Sequence, residues 1–157
     1  MNRILKDEEF LPYLQKTINN ASKNITLSTF KAEICEQPRG RYLKRLFDDI
    51  IRKAKEGLKI KLLLNWHDDK KSVARTNYRV MHDLKAAGVK VKHLHANRCN
   101  HAKICIVDDC LMFIGSHNLS VRSCHNNFEL SMLITEQDKI TEVKNIFDQS
   151  FNDAKTW

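Results

Sequence analysis

One short stretch of the chain combines residue types that can handle a phosphate group. It reads His101-Ala102-Lys103, four residues, Asp108, six residues, and then Gly115-Ser116-His117-Asn118. Apolar runs at 101–107 and 111–114 enclose the polar triplet at 108–110, a pattern that predicts a β-hairpin. An imidazole can attack phosphorus, and ammonium, hydroxyl and amide groups can hold phosphate oxygens. The spacing therefore indicates phosphoester chemistry on one hairpin.

The geometry of a hairpin predicts that these side chains converge. Alternate residues of a strand point to one face, so His101 and Lys103 are expected on the same side. A two-residue turn at 109–110 would place Lys103 opposite Ser116 and His101 opposite Asn118. Directly opposed Cβ atoms lie about 4.5 to 5.5 Å apart, a separation that suits the binding of one phosphate.

Each polar residue has an expected task. A neutral His101 imidazole attacks phosphorus, and Lys103 supplies fixed positive charge. Ser116 and Asn118 donate hydrogen bonds to non-bridging phosphate oxygens. Glu129, in the next predicted strand, accepts the other ring proton of a histidine and so fixes its tautomer. This set predicts phosphodiester chemistry with no metal and no other cofactor.

The pattern resembles the HKD motif of the phospholipase D superfamily. The motif covers residues 101–118, Glu129 extends it, and the order of predicted elements is compatible with that family over nearly the whole chain. The resemblance implies a phosphohistidine formed on His101. It also implies phosphate binding by Lys103 and Asn118.

For the remaining residues the resemblance implies lesser roles. Ser116 would contribute to phosphate binding, Asp108 would support the site, and Glu129 would orient the histidine. A complete site in this family uses two such motifs, and this chain has one. The resemblance therefore implies a homodimer that builds one site across its two-fold axis, as in the short bacterial nucleases of the family.

Hydrophobic periodicity predicts an α/β fold, a mixed β-sheet sandwiched between helix layers, as one domain over residues 1–157. Strands alternating with helices early in the chain favour parallel pairing, and the later hairpin adds antiparallel strands. The predicted strands are 24–30, 59–65, 89–94, 101–107, 111–114 and 127–135. The predicted helices follow apolar stripes at 10–18, 41–54, 77–87 and 140–151.

The amino-acid composition indicates which class of binding partner to expect. Lysine and arginine number 27 against 19 aspartate and glutamate, which leaves a net charge of +8. A basic balance of this size favours a polyanion, DNA or RNA, with single strands easier to fit in a narrow dimer groove. Apolar runs are too short to cross a bilayer, and the first residues lack a secretory pattern, so we expect a cytoplasmic protein without membrane insertion.

The preferred interpretation is a metal-independent endonuclease. Two alternatives remain: a phospholipid phosphodiesterase or phosphatidyl transferase, and a catalytically silent nucleic-acid-binding subunit. The tract 93–101 contains four potential zinc ligands, but its spacing matches no common structural site. His117, Cys124 and His125 are expected to be solvated loop residues. Basic residues that would track a nucleic-acid backbone are Lys31, Arg39, Arg41, Lys70, Lys71, Arg75, Arg98 and Arg122.

Overall fold

A computed structural model describes residues 2–66, 71–94 and 98–156 of the protein. In this part of the chain, eight strands form one mixed sheet in the order β1-β7-β6-β5-β2-β3-β4-β8. The strands are β1 (Arg3–Lys6), β2 (Asn24–Thr29), β3 (Lys59–Leu64), β4 (Lys90–His93), β5 (Ile104–Val107), β6 (Leu111–Gly115), β7 (Leu130–Ile134) and β8 (Lys155–Thr156).

Five α-helices accompany the sheet within the described ranges. They are α1 (Phe10–Asn19), α2 (Arg41–Lys55), α3 (Lys71–Ala86), α4 (Val121–His125) and α5 (Gln137–Asp153), with short 3-10 turns at Asp7–Glu9 and Pro38–Gly40. The sequence does not predict β1, β8 or α4, because each is too short to show a clear period. Helix α3 also begins six residues earlier than expected.

The direction in which neighbouring strands pair follows from how they are connected in the chain. Strands β2, β3 and β4 are parallel because helices α2 and α3 separate them in the chain. Strands β5, β6 and β7 are antiparallel to their neighbours, as the predicted hairpin requires. The expected mixed sheet is thus confirmed.

The two faces of the sheet carry different helices. On one face, side chains of α1, α2 and α3 such as Leu14, Leu46 and Leu84 form the main core with alternate strand residues. On the other face, α5 supplies Ile140, which packs with Ile106 and Met112, and further apolar residues that pack over β3. Helix layers therefore lie on both faces. In the described part of the chain, no helix is long and apolar enough to cross a bilayer.

Candidate active site

The hairpin register differs by one residue from the expected one. Ile104 pairs with Ile114, and Val107 pairs with Leu111. Lys103 consequently lies opposite Gly115, whose N–H donates to the Lys103 carbonyl oxygen at 3.3 Å. The prediction that Lys103 faces Ser116, and His101 faces Asn118, in one ladder was wrong.

The turn explains the shift. Asp108 and Asp109 occupy the left-handed region, with φ of 53° and 56°, and the N–H of Cys110 donates to the Val107 carbonyl oxygen at 3.1 Å. The three-residue turn 108–110 is therefore centred on Asp109, half a residue earlier than the expected two-residue turn at 109–110. Aspartate tolerates this backbone region better than most side chains, so the two-aspartate turn is physically reasonable.

His101 lies three residues before β5, at the carboxyl ends of the parallel strands. Buried Asn100 fixes this segment: its Nδ2 donates to the Leu63 carbonyl oxygen at 2.9 Å, and its N–H donates to Asn65 Oδ1 at 2.9 Å. Its amide also hydrogen bonds with Ser28 of β2. Asn100 directly precedes His101, and its hydrogen bonds anchor this position to the ends of β2 and β3. Nothing in the local sequence indicated this role.

His101 and Lys103 form a close pair at the surface. Lys103 Nζ lies 2.7 Å from His101 Nδ1 and donates to the His101 carbonyl oxygen at 2.7 Å. The Phe30 ring flanks both groups, 5.1 Å from the imidazole centroid and 6.0 Å from the ammonium nitrogen. The imidazole is exposed and the lysine half-buried, so an incoming phosphate can meet both.

Burial lowers the pKa of Lys103, and the negative charge of Glu129 opposes that effect without cancelling it. Desolvation penalises an ammonium ion that lacks the water around an ordinary surface lysine. Lys103 therefore carries a charge that is incompletely compensated by its surroundings, a condition that favours binding of an anion.

Asn118 is oriented by the main chain. Its Oδ1 accepts hydrogen bonds from the Lys31 N–H at 3.2 Å and the Thr29 hydroxyl at 3.3 Å. An N–H donor must face the amide oxygen, so the two ends of the amide are unambiguous. The amide NH₂ is then the end of Asn118 suited to donate to a phosphate oxygen, as the sequence predicts.

Glu129 is buried and accepts hydrogen bonds from several side chains. Ser116 donates a short hydrogen bond to Oε2. Ser123 and Asn127 donate to Oε1 at 2.8 Å and 2.9 Å. Burial alone would raise the pKa of Glu129, but these three donors outweigh it and the net shift is downward. A carboxylate held in its charged form results.

These contacts revise the expectation for Ser116. A serine hydroxyl has one proton, and here that proton is directed to Glu129. The same oxygen accepts from the Leu130 N–H at 3.1 Å. Ser116 therefore links β6 to the carboxylate, whereas the sequence predicts that it donates to phosphate. That Glu129 orients a histidine stays a prediction.

Asp108 lies at the turn, at the opposite end of the hairpin from Lys103. Its carboxylate accepts from the backbone N–H groups of Ser22, Lys23 and Asn24 at 2.7 to 3.1 Å. Burial tends to raise its pKa, and these backbone hydrogen bonds lower it further than burial raises it. Asp108 thus supports the hairpin from outside the site, consistent with a supporting role.

The prediction of solvated loop residues was wrong for His117 and Cys124, which are 2% and 1% exposed. His117 stacks on Phe10 with 4.3 Å between ring centroids. Its Nδ1 lies 2.7 Å from Ser131 Oγ, and its Nε2 lies 2.9 Å from the Asp7 carbonyl oxygen. These partners are distant in the chain, so the sequence around His117 could not reveal them.

Most of the predicted basic residues are at the surface. Lys31 is half-buried, with Nζ 3.7 Å from Glu33. The side chains of Lys70 and Lys71, and the potential ligand His95, lie outside the described residues. Within the described ranges, no three His, Cys, Asp or Glu side chains form a group that could hold a metal. Of the predicted basic residues whose side chains are described, the exposed ones are Arg39, Arg41, Arg75, Arg98 and Arg122.

Comparison with known proteins identifies the class. The family model described as "Cardiolipin synthase, PLD-like domain" matches residues 14–151, so the chain belongs to this phospholipase D-like family. Cardiolipin synthase 2 of Bacillus cereus is 31% identical over 111 residues, and cardiolipin synthase of Geobacillus thermodenitrificans is 32% identical over 101. These alignments cover 68% and 64% of this chain but only 21% and 20% of those proteins, so the chain spans about a fifth of their length.

Solved structures show the same fold. Nuc from Salmonella typhimurium, described as a phospholipase D family member, superposes with a TM-score of 0.82 at 14% identity and covers 100% of this chain and 97% of its own. NucT from Helicobacter pylori gives 0.80 at 16% identity, with 100% and 99% coverage. TrmBL2, an archaeal chromatin protein, gives 0.67 at 16% identity, and 54% of that chain is covered.

Proposed function

We propose that this protein is a phosphodiesterase that cleaves the backbone of DNA or RNA, preferably single-stranded, without a metal ion. The observation that carries the proposal is the surface pair of His101 and Lys103, with 2.7 Å between Nδ1 and Nζ, in a chain of net charge +8. A nucleophile beside a fixed cation is what attack on an anionic phosphodiester requires. We further propose that residues 1–157 act as one domain.

The proposed reaction has two displacement steps at phosphorus. In the first, an imidazole nitrogen of His101 bonds to phosphorus, and the bond from phosphorus to the leaving ester oxygen breaks. That oxygen takes a proton from a second histidine. In the second, water attacks phosphorus and gives a proton to the second histidine, the bond from nitrogen to phosphorus breaks, and His101 is restored. Lys103 and the Asn118 NH₂ hold the non-bridging oxygens throughout.

The second histidine belongs to a second copy of the chain in this proposal. One chain supplies one motif, and each displacement needs a nucleophile on one side of phosphorus and an acid on the other. A two-fold axis through the site places two equivalent histidines around one phosphate. Two neighbouring imidazoles favour unequal protonation, which matches the neutral and charged forms that the first step requires.

Nucleic acid is favoured as the substrate by charge. Five exposed arginines occur among the predicted contact residues, and Arg98 lies only three residues before His101. The structure of TrmBL2, a protein of similar fold, is described as showing a novel mode of DNA binding. At 16% identity this likeness supports nucleic-acid binding here only as an analogy. A phosphate-rich polymer is thus the substrate best matched to the surface.

A phospholipid phosphodiesterase or phosphatidyl transferase is the second candidate, and transfer is favoured because the curated relatives at 31% and 32% identity are cardiolipin synthases. In that case an alcohol of a lipid replaces water in the second step. A catalytically silent binding subunit is a third candidate, although His101, Lys103, Asn118 and Glu129 are all retained.

The test is cleavage of end-labelled single-stranded DNA and RNA in excess EDTA. We expect cleavage by the wild type and at least about a 1,000-fold loss for His101→Ala, since a covalent route without its nucleophile is closed. His82→Ala is the matched control, because the His82 side chain is 71% exposed on α3. Phosphatidylglycerol vesicles form a parallel arm.

Each result decides between the candidates. Turnover of the lipid with intact oligonucleotides would establish the phospholipid phosphodiesterase or phosphatidyl transferase alternative. Tight binding without cleavage of any substrate would favour the silent subunit. Cleavage that EDTA abolishes would overturn the metal-independent mechanism.

A further inference from the structure

A cavity opens directly beside His101 on the α5 face of the sheet. Its volume is about 240 Å³, and His101 itself forms part of the lining. The side chains that line it from the sheet and from α5 include Ser28, Leu63, Ile146, Phe147 and Ser150. The cavity therefore lies between the sheet, helix α5 and the segment that carries the proposed nucleophile.

The cavity combines an apolar wall with two polar groups that can serve a ligand. Phe147 is 3% exposed and packs with Leu63 and Leu94. The Ser150 hydroxyl and the Arg98 guanidinium also line the cavity, and within the described ranges neither makes a hydrogen bond or an ion pair. Apolar walls with a few polar groups are typical of ligand sites. A ligand can therefore bury apolar surface here and still pair its polar atoms.

The size of the cavity limits what it can hold. Sites for drug-sized ligands usually measure about 300 to 1,000 Å³. At about 240 Å³ this cavity lies just below that range, so it suits a single planar ring system. The paired acyl chains of a phospholipid would extend well beyond it. The volume therefore favours a nucleobase over a lipid tail.

We infer that the cavity receives the base of a nucleotide next to the scissile phosphate. The inference rests on the proposed function, which places that phosphate at His101 and Lys103. Because His101 also lines the cavity, a phosphate bound there brings its own nucleotide to the mouth of the cavity. Arg98 then supplies positive charge for the backbone beside that nucleotide.

The chemistry of the lining predicts that any base is accepted. An apolar wall contacts the flat face of every base, as in other single-strand binding sites. The Ser150 hydroxyl can donate or accept, so it can pair with the edge of a purine or a pyrimidine. The cavity therefore makes affinity depend on the presence of a base more than on which base it is.

The test compares the affinity of the wild type for adenosine 5′-monophosphate and for ribose 5-phosphate, which lacks the base. Isothermal titration calorimetry measures both. We expect the nucleotide to bind at least about 10-fold more tightly, since seating one base is worth that much in comparable sites. Equal affinities for the two probes would overturn the inference.

Ser150→Trp tests whether the cavity is the source of this preference. Its indole should occupy the cavity and bring the ratio of the two affinities close to one, while ribose 5-phosphate binds as before. Asn145→Trp is the matched control, because Asn145 is exposed on α5 and does not line the cavity. It should keep the wild-type ratio. A ratio unchanged in Ser150→Trp, or lost equally in the control, would contradict the inference.

Methyl NMR of the wild type gives a readout that does not depend on a variant's folding. Adenosine 5′-monophosphate should shift the methyl signal of Ile146, at the exposed side of the cavity, and ribose 5-phosphate should not. The signal of Ile18, which is buried in the main core, should stay in place with both probes. If dihexanoyl phosphatidylglycerol shifted Ile146 and the nucleotide did not, the cavity would be a lipid site and the inference would fail.

Binding is measured here without any cleavage, so the two proposals can fail separately. A protein that binds the nucleotide through this cavity but cleaves neither DNA nor RNA would refute the proposed function and leave the base site intact. A protein that cleaves nucleic acid but binds both probes equally would refute the base site alone.

Discussion

At the scale of single residues, the site divides into groups that can reach a substrate and groups committed to the protein. His101 is exposed and Lys103 half-buried, and the Asn118 oxygen is held by the main chain. Ser116, by contrast, directs its hydroxyl proton to Glu129. Phosphate binding is thus expected mainly from Lys103 and Asn118, with Glu129 fixing the local structure.

The lowered pKa of Lys103 predicts an early loss of charge as pH rises. An ordinary lysine titrates near pH 10.4. Because burial disfavours the charged form, Lys103 deprotonates below that value, and cleavage should fall as pH rises through its pKa. NMR titration of the lysine side chains should reveal one signal with a lowered midpoint.

The assignment of that signal is tested with Lys103→Arg, in which it should disappear and the alkaline limb of activity should move to higher pH. Lys55→Arg, at an exposed position of α2, should change neither. A Lys103 signal that titrates with the other lysines would contradict the prediction.

At the scale of elements, the β5–β6 hairpin is held at both ends by different means. At the site end, Gly115 approaches β7 so closely that a Cβ atom there would collide with the backbone of Leu130 and Ser131. At the turn, the Asp108 carboxylate binds the loop before β2. The hairpin therefore positions the site without taking its turn residues into the chemistry.

Asp108→Asn should reduce the free energy of unfolding by about 1 to 3 kcal/mol at pH 7, the usual range for hydrogen bonds to a charged group. The folded pKa of Asp108 is lowered, so its contribution is fully present above the unfolded value near 3.9 and is lost as pH falls through the folded pKa. The difference between wild type and variant in urea denaturation should therefore shrink below about pH 4.

Asp48→Asn serves as the control for this change, because the Asp48 side chain is 56% exposed on α2. It should leave stability nearly unchanged. If Asp108→Asn matched that control at pH 7, the anchoring of the turn by its carboxylate would be refuted.

At the scale of the whole molecule, charge and apolar surface have separate locations. The net charge of +8 includes exposed arginines such as Arg98 near the site, whereas Ile4, Leu130 and Met132 present exposed apolar side chains at the β1 edge of the sheet. The arginines near the site and the apolar edge are therefore separate features of the surface.

Binding of single-stranded DNA by the His101→Ala protein should weaken steeply with salt. For single strands, the slope of log K against log salt is about −0.7 for each phosphate contact. Arg98→Gln should make that slope less negative by about 0.7. The change is measured by fluorescence anisotropy of a labelled oligonucleotide at salt concentrations from roughly 50 to 300 mM.

Lys55→Gln is the control for Arg98→Gln, because α2 ends at Lys55 just before β3 begins, at the end of the sheet away from His101. Its slope should match that of the parent protein. Equal slopes for all three proteins would exclude Arg98 from phosphate contact.

The sequence by itself determined the family motif and the layered α/β architecture. The spacing from His101 to Asn118 indicates phosphoester chemistry because it combines an imidazole with ammonium and amide groups that can hold phosphate oxygens. Apolar stripes near Leu14, Leu46 and Phe147 predict helices against a sheet because periodicity is a local property. The start of α3 and the short elements were missed, since few residues there carry a periodic signal.

Only the tertiary structure decided the register of the β5–β6 hairpin and the hydrogen-bond partners of the buried polar residues. Asp108 adopts its left-handed turn while binding Ser22, 86 residues earlier in the chain, and that contact accompanies a shift of the hairpin by one residue. Asn100 and His117 likewise depend on partners brought together by the fold. Hydrogen bonds between distant segments leave no local pattern, so the sequence could indicate candidate site residues, whereas only the packed structure set which of them meet.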